Sequence, residues 1–204
     1  MGWYVDRVLP RITDVALRGA EVTSARARVC EGLDGDVLEV GFRLGRNVPH
    51  YPTHVTKAWA VDPATVGRQL AAERVAASPV PVEYVGLDGE QLPLDDETVD
   101  HALTTWTLCT IPDVQRALAE VRRVLRPGGS LHFVEHGRAP DVRIARWQDR
   151  LTPVQRRVFG GCHLNRPINR LIDAAGLRVE TLDNYYVRGP KPFGYKFEGV
   201  ATKL

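Results

Sequence analysis

Cysteine is scarce in this chain. Cys30, Cys109 and Cys162 lie far apart, with no CxxC pair, which argues against a disulfide framework or a zinc motif and for a reducing compartment. Long apolar runs are missing as well. No stretch of about 18 apolar residues occurs, so no segment reads as a membrane-spanning helix. The opening MGWYVDRVLPRITD is charged too early and too often for a signal peptide, and a cytoplasmic location is the expectation. Excess charge is also absent. The net charge of +2 gives no footprint for nucleic acid. Repeats and low-complexity segments are lacking too. What remains is an ordinary globular composition, 44% apolar and 25% charged over 204 residues, enough for one domain with its own core. We read residues 1–204 as that domain, with an N-terminal helical segment over 1–32 and a helical insertion over 137–166.

Short apolar runs alternate with longer helical patterns. Candidate strands are Val37–Val40, Ala58–Asp62, Val82–Gly86, Val99–Thr105, Ser130–His136, Leu177–Asp183 and Tyr195–Thr202, most of them dense in Val and Leu. Val114, Ala117, Leu118, Val121, Val124 and Leu125 follow helical spacing from the N-cap candidate Asp113, and Pro127-Gly128-Gly129 ends that helix. Arg122, Arg123 and Arg126 crowd its C-terminal end, where the helix dipole favours cations, and read as a solvated helix end. Further helices are expected over Val15–Cys30, Ala64–Ala77, Val142–Phe159 and Pro167–Ala175. The alternation implies an α/β fold with a doubly wound, mostly parallel sheet and helices on both faces. Ligands of such sheets bind beyond the C-terminal strand ends.

The residues just after the strands are suggestive. The stretch Glu39-Val-Gly41-Phe-Arg43-Leu-Gly45 ends the first strand with glycines that permit a tight turn. Asp62, followed by Pro63, ends the second, where an acid can accept from ribose hydroxyls or simply begin a turn. Asp88-Gly89-Glu90 follows the third strand, as an adenine-facing loop or a plain turn. A GxGxxG fingerprint fails because Arg43 and Arg46 stand at two of its three glycines, and no P-loop is present. His50 and His54 flank Pro52 in a loop, so no metal site is expected. Cys109 and Cys162 read as small buried apolar residues. His136, after the fifth strand, is the best-placed general base or else a structural histidine, and His163 is second.

In order, these stretches resemble the class I S-adenosylmethionine (SAM)-dependent methyltransferases. The match takes in the Glu39–Gly45 turn, Asp62, Asp88-Gly89-Glu90-Gln-Leu-Pro93 and Thr105-Trp-Thr-Leu-Cys109. It continues through Leu118-Ala-Glu-Val-Arg-Arg-Val-Leu-Arg-Pro-Gly-Gly129 and Phe133-Val-Glu-His136. Within that superfamily the chain resembles the ubiquinone/menaquinone-type enzymes. Through Gly161-Cys-His-Leu-Asn-Arg166 and Ala174-Ala-Gly-Leu177 it also resembles the small thiol S-methyltransferase-like group. The resemblance implies a seven-stranded sheet with the last strand antiparallel and inserted between strands five and six. It implies SAM as cofactor, held by Glu39, Gly41, Gly45, Asp62, Pro63, Asp88, Gly89, Thr105 and Trp106. It implies S- or O-methylation of a small, apolar acceptor. Trp3, Tyr4, Trp106–Cys109 and the 137–166 insertion, with Trp147 and Phe159, are the candidates for selecting that acceptor. Arg43 departs from the family's glycine and leaves two outcomes open. Its side chain swings clear of the pocket, or its guanidinium pairs with Glu39, Asp62 or Asp88 and turns the chain into a degenerate binding or regulatory protein.

Overall fold

The computed structural model describes residues 19–62, 65–86 and 88–204. Trp3, Tyr4 and Pro63 lie outside them. The order of elements is α1 (Ala20–Cys30), β1 (Gly35–Val40), a 3-10 turn (Val48–His50), β2 (Val55–Val61), α2 (Thr65–Ala76), β3 (Val82–Gly86) and β4 (Val99–Thr105). Then come α3 (Val114–Val124), β5 (Leu125–His136), α4 (Val142–Val158), α5 (Ile168–Ala174), β6 (Leu177–Tyr186), a helical turn (Lys191–Gly194) and β7 (Tyr195–Lys203).

The strands form one seven-stranded sheet in the order β3-β2-β1-β4-β5-β7-β6. Strands β3, β2, β1, β4 and β5 pair in parallel, and β7 runs antiparallel to both β5 and β6. The doubly wound sheet and the inserted last strand are therefore as expected. Strand side chains alternate between two cores. Val37, Leu103 and Val134 face Ala25, Val29 and Ala71 of α1 and α2. Leu38, Val40, Ala102 and Phe133 face Val114, Leu118, Val121, Ile168 and Ile172 of α3 and α5.

Local chemistry fixes the ends. The Asp113 side chain accepts from the Arg116 N–H at 3.1 Å and caps α3. Asp141 caps α4 by accepting from Arg143 and Ile144. Several bounds differ from the sequence reading, as where β2 begins at Val55 and β6 runs on to Tyr186, and two differences concern the end of α3. Strand β5 begins at Leu125, before the Pro-Gly-Gly, because Leu125 already pairs with Val99. The arginines at the end of α3 are not simply solvated. Arg123 donates to the Leu94 and Leu92 carbonyls and pairs with Glu120 and Asp96 at 2.8 Å. Arg126 pairs with Asp100 at 2.6 Å. Within α4, buried Gln148 anchors the helix by donating to the Gly137 and Pro192 carbonyls and accepting from the Ala139 N–H, whereas Trp147 is exposed. Among the described residues no helix is long and apolar enough to cross a membrane.

Candidate functional site

The loops after β1, β2, β3, β4 and β5 meet at one edge of the sheet, where their parallel strands end. The β1 turn begins at Gly41, with φ +82°. A Cβ there would lie 2.1 Å from Thr107 Oγ1, so only glycine lets the loops after β1 and β4 touch. Gly45 closes the turn by donating its N–H to the Phe42 carbonyl at 2.9 Å. Between them Arg43 takes φ +48°, a left-handed conformation that favours glycine. Its backbone N–H donates to Asp62 Oδ2 at 2.6 Å, tying the β1 turn to the end of β2. Among the described residues the Arg43 guanidinium makes no hydrogen bond or ion pair. The pairing with Glu39, Asp62 or Asp88 that the sequence left open is therefore not formed.

Glu39 is fully buried and spends its carboxylate on the chain itself. It accepts from Asn47 Nδ2 at 3.0 Å and from the Tyr51 hydroxyl. Asn47 in turn accepts from Arg26 at 2.7 Å, and both donate to Thr105 Oγ1, at 2.8 Å from Arg26 and 3.0 Å from Asn47. The Arg26 guanidinium lies over the Trp106 ring, 4.8 Å from its centroid. Burial pushes the Glu39 carboxyl up to about 7, against the pull of Tyr51, Arg26 and Asn47. Burial also lowers Arg26 to about 10, although Glu39 holds it up. Arg26, Asn47 and Tyr51 are not marked by the sequence reading. The available signal is that Arg26 shares the buried face of α1 with Ala25, Val29 and Cys30.

A second buried carboxylate shapes the loop after β4. Glu135 accepts from the Thr107 N–H at 2.8 Å, the Leu108 N–H at 3.0 Å and the Cys109 N–H at 3.4 Å. Burial raises its carboxyl while these three donors pull it down, and the net shift is upward. Trp106 sits at φ +51° with its N–H on the Val134 carbonyl. After β3, Gly89 abuts β1, since a Cβ there would meet Val40 at 2.8 Å. Asp88 is exposed and accepts from the Glu90 N–H at 2.8 Å. Of the expected cofactor residues, then, Gly41, Gly45, Asp62, Gly89, Thr105 and Trp106 gather at this edge. Glu39 stands behind them and Asp88 at the rim.

His136 ends β5 at the same edge. Its Nε2 lies 3.1 Å from Cys162 Sγ, and its buried Nδ1 has no hydrogen-bond partner among the described residues. Cys109 joins them, so that the two sulfurs and an imidazole nitrogen all lie within 4.8 Å of one another. Both cysteines are buried as expected, yet they belong to one polar cluster, not to the apolar core. The Cys109 contact and His136 hold the Cys162 thiol down, and the same contact with burial pushes Cys109 up.

The family described as "Methyltransferase domain" matches residues 38–133. Thiol S-methyltransferase TMT1B of Rattus norvegicus is 33% identical over 143 residues, covering 68% of this chain and 58% of that protein. Thiol S-methyltransferase TMT1A of Homo sapiens is 32% identical, with the same coverage of 68% and 58%. The chain thus matches under two thirds of the length of these relatives. Among solved structures, a SAM-dependent methyltransferase of Thermotoga maritima, described as a possible histamine N-methyltransferase, superposes with a TM-score of 0.72. It is 22% identical and 100% of each chain is covered. The strand order and these likenesses give the chain the class I methyltransferase fold, and its residues 38–133 belong to the methyltransferase domain family.

Proposed function

We propose that the chain is a SAM-dependent methyltransferase acting on the sulfur of a small, apolar thiol. The observation that carries the reading is the convergence, at one sheet edge, of a glycine-lined cradle and a sulfur-rich cluster. On the cradle side, Gly41 and Gly89 have no space for a Cβ, and Asp62 is buried at the end of β2. These residues suit an adenosyl group, with Asp62 for the ribose hydroxyls, Asp88 and Gly89 beside adenine, and Thr105 and Trp106 beneath the sulfonium. Among the described residues Arg43 offers its backbone N–H to Asp62 and no side-chain ion pair to the cradle, which supports an open site over a degenerate one. On the acceptor side stands His136, whose Nε2 already has a sulfur neighbour.

When bound, SAM supplies an electrophilic methyl group. The chain's own task is then to position an acceptor sulfur in line and keep water out. Glu135 contributes by fixing the backbone of residues 107–109 through three N–H bonds. The Arg26–Asn47–Glu39 network contributes by holding Thr105 and Trp106 in place. The likeness to thiol S-methyltransferases favours sulfur over oxygen as the acceptor atom.

Calorimetry with SAM and S-adenosylhomocysteine, followed by methyl transfer from labelled SAM to a small aryl thiol and to the matching phenol, tests the reading. Saturable binding and methylation of the thiol in preference to the phenol are expected. Absence of binding to both nucleosides would sink the proposal.

A further inference from the structure

Cys109, His136 and Cys162 come from three separate segments, namely the loop after β4, the end of β5 and the turn after α4. Each backbone is tied down. The Cys109 N–H donates to Glu135 at 3.4 Å and its carbonyl accepts from the His163 N–H at 2.7 Å. The Cys162 N–H donates to the Phe159 carbonyl at 3.2 Å, and His136 is paired with Lys196 in the β5/β7 register. Three chain segments thus aim two sulfurs and one nitrogen at a common point. Cysteines that merely fill an apolar core have aliphatic neighbours. Here Cys162 has an imidazole at 3.1 Å and the Gln155 amide at 3.8 Å.

The donor set is soft, two thiols and an imidazole, and is suited to a d10 cation. Zinc bonds of about 2.3 Å to sulfur and about 2.0 Å to nitrogen place tetrahedral ligand atoms roughly 3.5–3.8 Å apart. The three atoms here lie within 4.8 Å of one another, so small side-chain rotations bring them to that spacing. Charge also balances. A divalent cation with two thiolates and a neutral imidazole is uncharged overall, which a buried site requires. No fourth His, Cys, Asp or Glu joins the group among the described residues. Three protein ligands with one open position is the arrangement of catalytic zinc sites, whereas structural sites fill all four.

We propose that Cys109, His136 and Cys162 bind one zinc ion whose fourth position is open to the sulfur of the acceptor thiol. The first half stands on the cluster alone, and the second rests on the thiol methyltransferase reading. His136 is then a ligand and not the free base that the sequence offered. An acceptor thiol replaces the zinc-bound water, its sulfur–zinc bond forms, and its proton leaves to solvent. The coordinated sulfur then attacks the methyl carbon of SAM. The new sulfur–carbon bond forms as the old one breaks, and that electron pair returns to the sulfur of S-adenosylhomocysteine. Zinc changes neither charge nor oxidation state.

The test uses the full chain, reduced, stripped with a chelator and titrated with zinc against a chromophoric competitor. One equivalent is expected to bind. Cobalt in its place should give the intense visible bands of a tetrahedral site and a sulfur-to-cobalt charge-transfer band. Cys109→Ser and Cys162→Ser should each weaken zinc by about 100-fold or more and remove or shift that band. Far-UV circular dichroism checks that the variants fold, and the cobalt spectrum of the unaltered chain decides the matter even where they do not. Binding well below one equivalent would overturn the proposal, as would cobalt spectra without sulfur character. So would a Cys109–Cys162 disulfide in the purified chain with no zinc uptake after reduction. SAM binding is measured separately. Zinc uptake without it would defeat the methyltransferase reading and leave the metal site standing, and SAM binding without zinc would do the reverse.

Discussion

Arg43 carries the sharpest question at the scale of single residues. Its φ of +48° places an L-residue in left-handed space, at a cost of roughly 1–2 kcal/mol against right-handed backbone. The local gain is its backbone bond to Asp62, which any residue makes. Arg43→Gly keeps that bond and relieves the conformation, while adding back some chain entropy in the unfolded state. The variant is expected to gain about 1 kcal/mol in urea unfolding. Because the guanidinium makes no ion pair among the described residues of the cradle, SAM affinity should change by less than about threefold, which is under 1 kcal/mol. A large gain in SAM binding on Arg43→Gly would instead identify the arginine as a plug. The turn was legible in the sequence because strand and glycines are contiguous. That Glu39 would be out of reach as a partner for Arg43 was not, since its carboxylate is taken by Asn47 and Tyr51 only once the chain after the turn has folded back.

Single elements are held in register by buried polar groups, and β5 gives the clearest case. His132 points from β5 under α1, with Nδ1 3.0 Å from the Val29 carbonyl and Nε2 3.0 Å from Ser130 Oγ. A neutral ring satisfies both, donating to the carbonyl and accepting from the hydroxyl. Burial lowers its pKa to about 4, with the neighbouring His101 ring adding to the effect and the Val29 carbonyl and Asp34 opposing it. A depressed histidine contributes stability that is present above its unfolded value near 6.5 and lost as pH falls through about 4. The unfolded chain takes up the proton across that window and the folded chain refuses it. Between pH 7 and 4.5 this amounts to roughly 2 kcal/mol. His132→Gln should lose correspondingly less stability over the same interval, read from urea midpoints at the two pH values. Equal losses in both proteins would refute the assignment. The strand itself needed no structure to find, because Leu131, Phe133 and Val134 form a dense apolar run. Its first residues did, but Val82–Gly86 and Val99–Thr105 have the bounds their sequence suggests. What stayed hidden was everything joined across distant sequence. Arg26 meets Thr105, Glu135 meets the 107–109 backbone, and Cys109 meets Cys162 only after the sheet has assembled. Spacing along the chain carries no trace of these meetings.

For the molecule as a whole, the proposed cofactor and acceptor halves sit at different places along one sheet edge. Asp62 follows β2 and His136 follows β5, three strand positions apart in the order β2-β1-β4-β5. At about 4.8 Å per strand that is roughly 14 Å, beyond the range of about 7–10 Å over which substitutions usually interact. Asp62→Asn should therefore weaken SAM by about tenfold or more, the loss of one strong hydrogen-bonded contact, and leave zinc uptake unchanged. Cys162→Ser should do the opposite. Gly41 is the exception, because it is where the β1 turn presses on Thr107 of the β4 loop. A methyl group at Gly41 would lie 2.1 Å from Thr107 Oγ1, so the two loops must part. The displaced Thr107 is one of the three donors that Glu135 uses to set the position of Cys109. Gly41→Ala is thus expected to impair SAM binding and metal uptake together, in a chain that circular dichroism shows to be folded. Were it to lower only SAM affinity, the two halves would be mechanically separate, and the close approach of Gly41 and Thr107 would matter to the cofactor alone.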